Sequence, residues 1–201
     1  KTWSDQLWVK KLASDNVEKL LEHQGMDFRA SPDGNMVVFT KGSTISVLDR
    51  TLNSVKVLVI LKYVDEGFTL LAWSADSSKF WFGAGDAIET WSKLALFKDG
   101  KVSWFPFAGG AVDSALEPEQ GWLATSDTPF NYDVESEEAF KKSKTMTKLE
   151  VVDVFTGKRA VLAEAEANQY NPFWDSKGFL QYSIAGKIFK ISKSQIAEKL
   201  K

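Results

Sequence analysis

Cysteine is missing altogether, which excludes a disulfide framework, a thiol nucleophile and any thiolate metal site. The compartment stays open, because cytoplasmic and periplasmic proteins alike do without it. Histidine is nearly missing too. His23 is the one present, so zinc held by several histidines is excluded by count, and a Ser-His-Asp arrangement would have to use this residue. No Gly-x-Ser-x-Gly elbow accompanies it, and His23 reads as an ordinary strand residue. Charge of one sign is not in excess either. With 25 basic against 27 acidic residues there is no basic field to draw nucleic acid or an anionic membrane. The longest strongly apolar run, Val55 to Leu61, falls far short of the roughly 20 residues of a membrane-spanning helix and reads as a buried strand. There is no Asn-x-Ser/Thr sequon, and the sequence opens at Lys1 with neither methionine nor a signal-peptide pattern. That opening fits a processed form or a piece of something longer.

What the chain does hold is a repeat. The stretch Phe28 to Phe39, FRASPDGNMVVF, returns 43 residues later within LLAWSADSSKFWF, with Ser74 over Ser31, Asp76 over Asp33 and Phe82 over Phe39. A further 43 residues on, ALEPEQGWLAT sets Pro118 on Pro32, Glu119 on Asp33 and Leu123 on Val37. Here Gln120 stands in the glycine's place. A fourth version, PFWDSKGFLQY, has a turn one residue shorter. Each version leads into short alternating strands separated by Gly, Asp and Asn turns, which predicts a four-stranded meander per unit.

The units divide the chain into a leading half-unit hairpin over 1–24, full units over 25–62, 63–108 and 109–167, and a last unit over 168–201. The third carries an insertion of about 14 residues between Thr128 and Thr147. Strand four of the second unit contains Pro106 and belongs at an exposed edge, where a missing amide donor is tolerated. SQIAEKLK at the end fits a short helix with Ser194 able to cap it and Ile196 and Leu200 on one face. Repeats of about 40 residues, each a four-stranded meander, mean an all-β propeller of stacked blades. Such stacking also accounts for aromatic residues inside the strands (Trp8, Phe39, Trp73, Trp81, Trp91, Trp104, Trp174) as blade-to-blade core rather than a ligand cage.

The pattern Phe-x-x-Ser-Pro-Asp-Gly-x-x-x-x-Phe at 28–39, followed by an aliphatic strand and a polar turn, resembles the repeat of TolB-type, WD-like β-propellers, and QLWVKKLASDNVEKLLEH is similar to the second half of that repeat. The family resemblance implies six or more blades, against about four here. Three arrangements fit: a fragment of a longer propeller, which is favoured, two chains completing one ring, or a small four-bladed ring in which the first hairpin pairs with the last unit.

Candidate chemistry is sparse. The GAGD at Gly83 to Asp86 lacks the third glycine and following helix of a phosphate loop and reads as a turn between strands. The acidic Asp133, Glu135, Glu137 and Glu138 do not follow calcium-loop spacing and read as a solvated loop. Neither cofactor nor metal is called for. Position is more informative. The resemblance implies that the customary binding face lies at the end of the ring away from the Ser-Pro-Asp-Gly turns. That end would carry Tyr63, Asp65, Glu66, Asp86, the inserted Phe130, Asn131, Tyr132 and Phe140, and Asn168, Gln169 and Tyr170. The expectation is a non-enzymatic scaffold binding a protein or peptide there, the acidic loops favouring a basic partner. The alternative is the substrate-gating propeller of a prolyl-oligopeptidase-like serine peptidase. Further blades, from a longer chain or a second copy, are the other expected partners.

Overall fold

A computed structural model describes residues 5–10, 17–23, 27–61, 66–86, 90–110, 113–128 and 134–201. Strands β1 (Asp5–Lys10) and β2 (Val17–His23) form a hairpin. Three four-stranded antiparallel sheets follow, each a meander in chain order. The first holds β3 (Phe28–Ala30), β4 (Met36–Lys41), β5 (Thr44–Asp49) and β6 (Ser54–Ile60). The second holds β7 (Glu66–Trp73), β8 (Lys79–Asp86), β9 (Thr90–Lys98) and β10 (Lys101–Gly110). The third holds β11 (Ser114–Glu117), β12 (Trp122–Ser126), β13 (Met146–Asp153) and β14 (Arg159–Glu166), with helix α1 (Val134–Lys142) between β12 and β13. A three-stranded sheet of β15 (Phe173–Trp174), β16 (Phe179–Ile184) and β17 (Lys187–Ser192) ends in helix α2 (Lys193–Lys199). Among the described residues a two-stranded hairpin thus precedes three four-stranded sheets and one of three strands.

The recurring motif is a hairpin device. The Ser31 hydroxyl donates to Asp33 Oδ1 at 2.6 Å and accepts from the Met36 amide at 2.9 Å, while Asp33 Oδ1 takes the Asn35 amide at 3.0 Å. Gly34, at φ +70°, supplies the left-handed step that closes the turn. In the second sheet Ser74 and Asp76 repeat these bonds, and Ser77 occupies the left-handed position at φ +61°. These donors hold Asp33 below the ordinary carboxylate range and bring Asp76 down to about 2. The third turn solves its missing glycine by moving the left-handed step one residue on, to Gly121 at φ +67°, and the Glu117 carboxylate accepts the Gln120 amide in place of the serine. In the fourth, Asp175 does the work of both serine and aspartate: its side chain takes the Lys177 and Phe179 amides.

Stacking face to face buries what alternation along each strand makes apolar. Val38, Ile45 and Val47 of the first sheet meet Leu70, Trp73, Phe80 and Phe82 of the second. Trp81, Leu94 and Leu96 meet Leu123 and Val152 of the third, whose Ala124, Leu149 and Val151 meet Tyr170 and Leu180 of the last. Indole donors strap the stack: Trp73 Nε1 to the Arg29 carbonyl at 3.0 Å, Trp81 Nε1 to Pro118 at 3.0 Å and Trp174 Nε1 to Ala115 at 3.2 Å. Phe39, Trp73 and Trp81 are core, as expected, whereas Trp8 and Trp104 are 51% and 41% exposed.

Pro106 lies on β10, the edge of its sheet, next to an irregularity in register. Gly83 to Asp86 form no turn: they continue β8, and their small residues sit in a buried central strand. The N-cap of α2 is Ser192 rather than Ser194. Its side chain accepts from the Gln195 amide while Gln195 Oε1 takes the Ser192 amide, a reciprocal box, and Ile196 and Leu200 are buried together. The hairpin of β1 and β2 does not join the last sheet among the described residues. It stands alone and lays Leu7 and Leu20 on Val37, Phe39 and Leu48 of the first sheet.

Candidate functional site

Antiparallel order sends the β4–β5, β8–β9, β12–β13 and β16–β17 connections, and the links from each sheet to the next, to one end of the stack. This insertion end is where the sequence placed its candidates. Glu66 and Asp86 face each other in register as the first residue of β7 and the last of β8. Tyr63, Asp65, Phe130, Asn131, Tyr132 and Asp133 lie outside the described residues, as does the turn at 13–16. His23 ends β2 in register with Asp5.

The three remaining candidates converge where α1 meets the link between the third and last sheets. Phe140, on α1, is buried to 9% exposure, and Gln169 is exposed. The Tyr170 ring is fully buried in the core, its hydroxyl donating to the Thr147 carbonyl at 2.6 Å, and burial pushes that phenol up from its ordinary value. Tyr170 therefore fixes the link and offers no surface. The insertion's two stems are tied to the same segment. The Thr128 hydroxyl donates to the Asn168 carbonyl at 2.8 Å, and the Thr147 hydroxyl reaches that carbonyl at 3.1 Å. Asn168 in turn donates from Nδ2 to the Ser183 carbonyl at 2.9 Å and accepts the Ala185 amide on Oδ1 at 3.0 Å. Four chain segments thus meet at one amide side chain and its carbonyl.

Asp113 is a second node that sequence reasoning missed. Buried to 7%, it accepts the Ser126 hydroxyl at 2.6 Å, the Tyr170 amide at 2.9 Å and the Asn171 amide at 2.6 Å. The signal was in the repeat: Asp113 occupies the position of Asp27, two repeats earlier. Both backbone carbonyls accept from the second strand of their sheet, Thr40 in one case and Ser126 in the other.

Between α1, the 167–171 link and the β16–β17 turn lies an open cleft of about 260 Å³. Phe140 and Lys141 line its α1 side, Gln169 and Asn171 the link, and Ser183 and Gly186 the hairpin. Its frame is strained. Ala167, Asn171 and Ala185 have φ of +44°, +45° and +47°, a left-handed conformation that Asn tolerates but that costs each of the two alanines about 1 kcal/mol. Asn168 accepts the Ala185 amide, Asp113 the Asn171 amide and the Thr145 carbonyl the Ala167 amide, which holds that backbone in place. Among the described residues, no three histidine or carboxylate side chains converge in a way that could hold a metal ion. No helix among them is long and apolar enough to cross a membrane.

The stacked four-stranded meanders define the class: an all-β chain of the β-propeller type. Solved structures share it. Dipeptidyl peptidase 4 of Porphyromonas gingivalis matches with a TM-score of 0.59 at 14% identity, over 90% of this chain and 33% of that one. An oligogalacturonate lyase solved in complex with manganese gives 0.56 at 10% identity, over 91% and 53%. The tricorn protease gives 0.55 at 12% identity, over 96% and 24%. The chain thus spans about a third, half and a quarter of these proteins, and at such identities the likeness is one of fold. No protein-family model matches the sequence, and no curated protein does.

Proposed function

We propose that this chain is a non-enzymatic propeller module that holds a protein or peptide partner at its insertion end. The observation that carries this reading is the cleft between α1 and the 167–171 link. It is an opening at the one place where the repeat is interrupted, framed by three non-glycine residues in left-handed conformation. Strain of this kind persists where surrounding bonds over-determine it, and it gathers at ligand-holding segments. Loops set on a rigid scaffold are the usual carriers of binding. Exposed Gln169 and Asn171 offer amides to a peptide backbone, and Lys141 adds a cation to the described wall.

A photo-crosslinking residue, p-benzoylphenylalanine, placed at Gln169 and in a separate variant at Leu52 on the opposite end, tests the assignment. The expected result is a discrete adduct from Gln169 that Leu52 does not give; equal adducts from both ends, or none from Gln169, would count against it.

A second reading has its own support. The likeness to dipeptidyl peptidase 4 and the tricorn protease, of which the chain spans 33% and 24%, suits a substrate-gating propeller domain of a larger serine peptidase. A full-length reading frame that continues into an α/β-hydrolase segment with a nucleophile elbow would favour this reading over the first.

A further inference from the structure

The last sheet differs from the others on two sides. On the face turned away from the third sheet, one of the register pairs changes character. Val38 opposite Val47, Trp81 opposite Leu96 and Ala124 opposite Val151 are buried apolar pairs against the next sheet. In the last sheet the same pair is Gln181 opposite Lys190, with the Gln181 amide donating to Asp175 Oδ2 at 2.8 Å and Lys190 Nζ 3.9 Å from the same oxygen. A further sheet stacked in the same way would bury this ionic cluster, beside the exposed Phe173, Phe179 and Ile188 of the same face.

The edge is different. In each complete sheet the third strand is flanked by a fourth, β6, β10 or β14, but among the described residues β17 pairs only with β16. The hairpin between them turns through Ala185 and Gly186, both left-handed, which makes Ile184 and Lys187 a hydrogen-bonded pair. Alternation then aims the amides and carbonyls of Ile188 and Lys190 outward, together with the Ser192 amide, which Gln195 already takes. Phe189, stacked on Tyr182 at 5.7 Å, is still 41% exposed, with no neighbour on that side among the described residues.

We propose that the open edge of β17 is an acceptor for an extended segment of a partner protein, which adds as the missing fourth strand. Register defines its chemistry. Lys187 occupies the position that Lys148 holds on β13, and Lys148 is met across the ladder by Glu164 of the fourth strand at 3.5 Å. The segment therefore carries a carboxylate across from Lys187 and an apolar residue over Phe189, as β14 does with its alternating acidic and aliphatic residues.

The probe is a fluorescein-labelled peptide copying β14, RAVLAEAE, titrated against the whole chain by anisotropy. Saturable binding is expected, with slowed exchange of the Ile188 and Lys190 amides. Lys187→Glu weakens it about fivefold, and a Glu164→Lys version of the peptide restores it. Ile188→Pro, which removes an edge amide, abolishes binding while circular dichroism stays unchanged. Absence of saturable binding overturns the proposal and leaves the lysines as guards against edge pairing. So does binding indifferent to Lys187→Glu. Concentration-dependent self-association that protects the β17 amides overturns it as well, by assigning the edge to a second copy.

Discussion

A serine hydroxyl and an aspartate two residues on settle where the first and second sheets make their first turn. The Asp76 carboxyl is held at about 2 by the Ser74 hydroxyl, the Ser78 amide and the Ser78 hydroxyl, against 3.8 ordinarily. A folded-state value below the unfolded one means that the contribution is fully present above about pH 4 and is lost as pH falls toward 2. Asp76→Asn is therefore expected to flatten that acid limb of stability, measured as urea midpoints between pH 4 and pH 2, with little change in its shape above. Ala185 makes the converse case. Exposed, and left-handed at φ +47° before a left-handed Gly186, it occupies the first corner of a two-residue hairpin that favours Asn-Gly. Ala185→Asn should stabilise the chain by about 0.5–1 kcal/mol, a rise of roughly 1–4 °C in Tm.

At the scale of elements, sequence and structure part where a local rule depends on where a neighbouring element stops. Strand order, the edge position of Pro106 and the interruption after Thr128 were legible, because alternation and turn residues specify them within a few positions. The cap of α2 was not. Ser194 lies close to the helix start, but β17 runs to Ser192 and leaves that residue in extended geometry, φ −81° and ψ 160°, where a hydroxyl can meet the first-turn amides. Ser192→Ala should cost about 1 kcal/mol in thermal or urea unfolding, and Ser194→Ala much less. The candidate site was legible as a region and not as a set of side chains. An aromatic residue in a link between sheets reads as exposed, yet Tyr170 has turned inward to fill space among Leu149, Leu180 and Ile196. Asp113 escaped notice because one aspartate before a strand carries no signal until its counterpart at Asp27 is set beside it.

For the whole molecule, the stack and the insertion behave as separable designs. Sheets are joined by buried faces and indole straps that involve no residue of α1, whereas the insertion is held by its stems and by Asn168. Below it the Asp127 amide donates to the Lys148 carbonyl at 3.2 Å, so β12 and β13 already meet there as a hairpin would. Removing 129–146 and joining Thr128 to Thr147 through Asn-Gly should leave the far-ultraviolet spectrum intact and Tm within a few degrees. The most direct measurement of the account is this excised chain carrying the photo-crosslinker at Gln169. The expected result is a folded stack whose Gln169 adduct has disappeared. A folded stack that gives the adduct undiminished, or a chain that no longer folds, would contradict it.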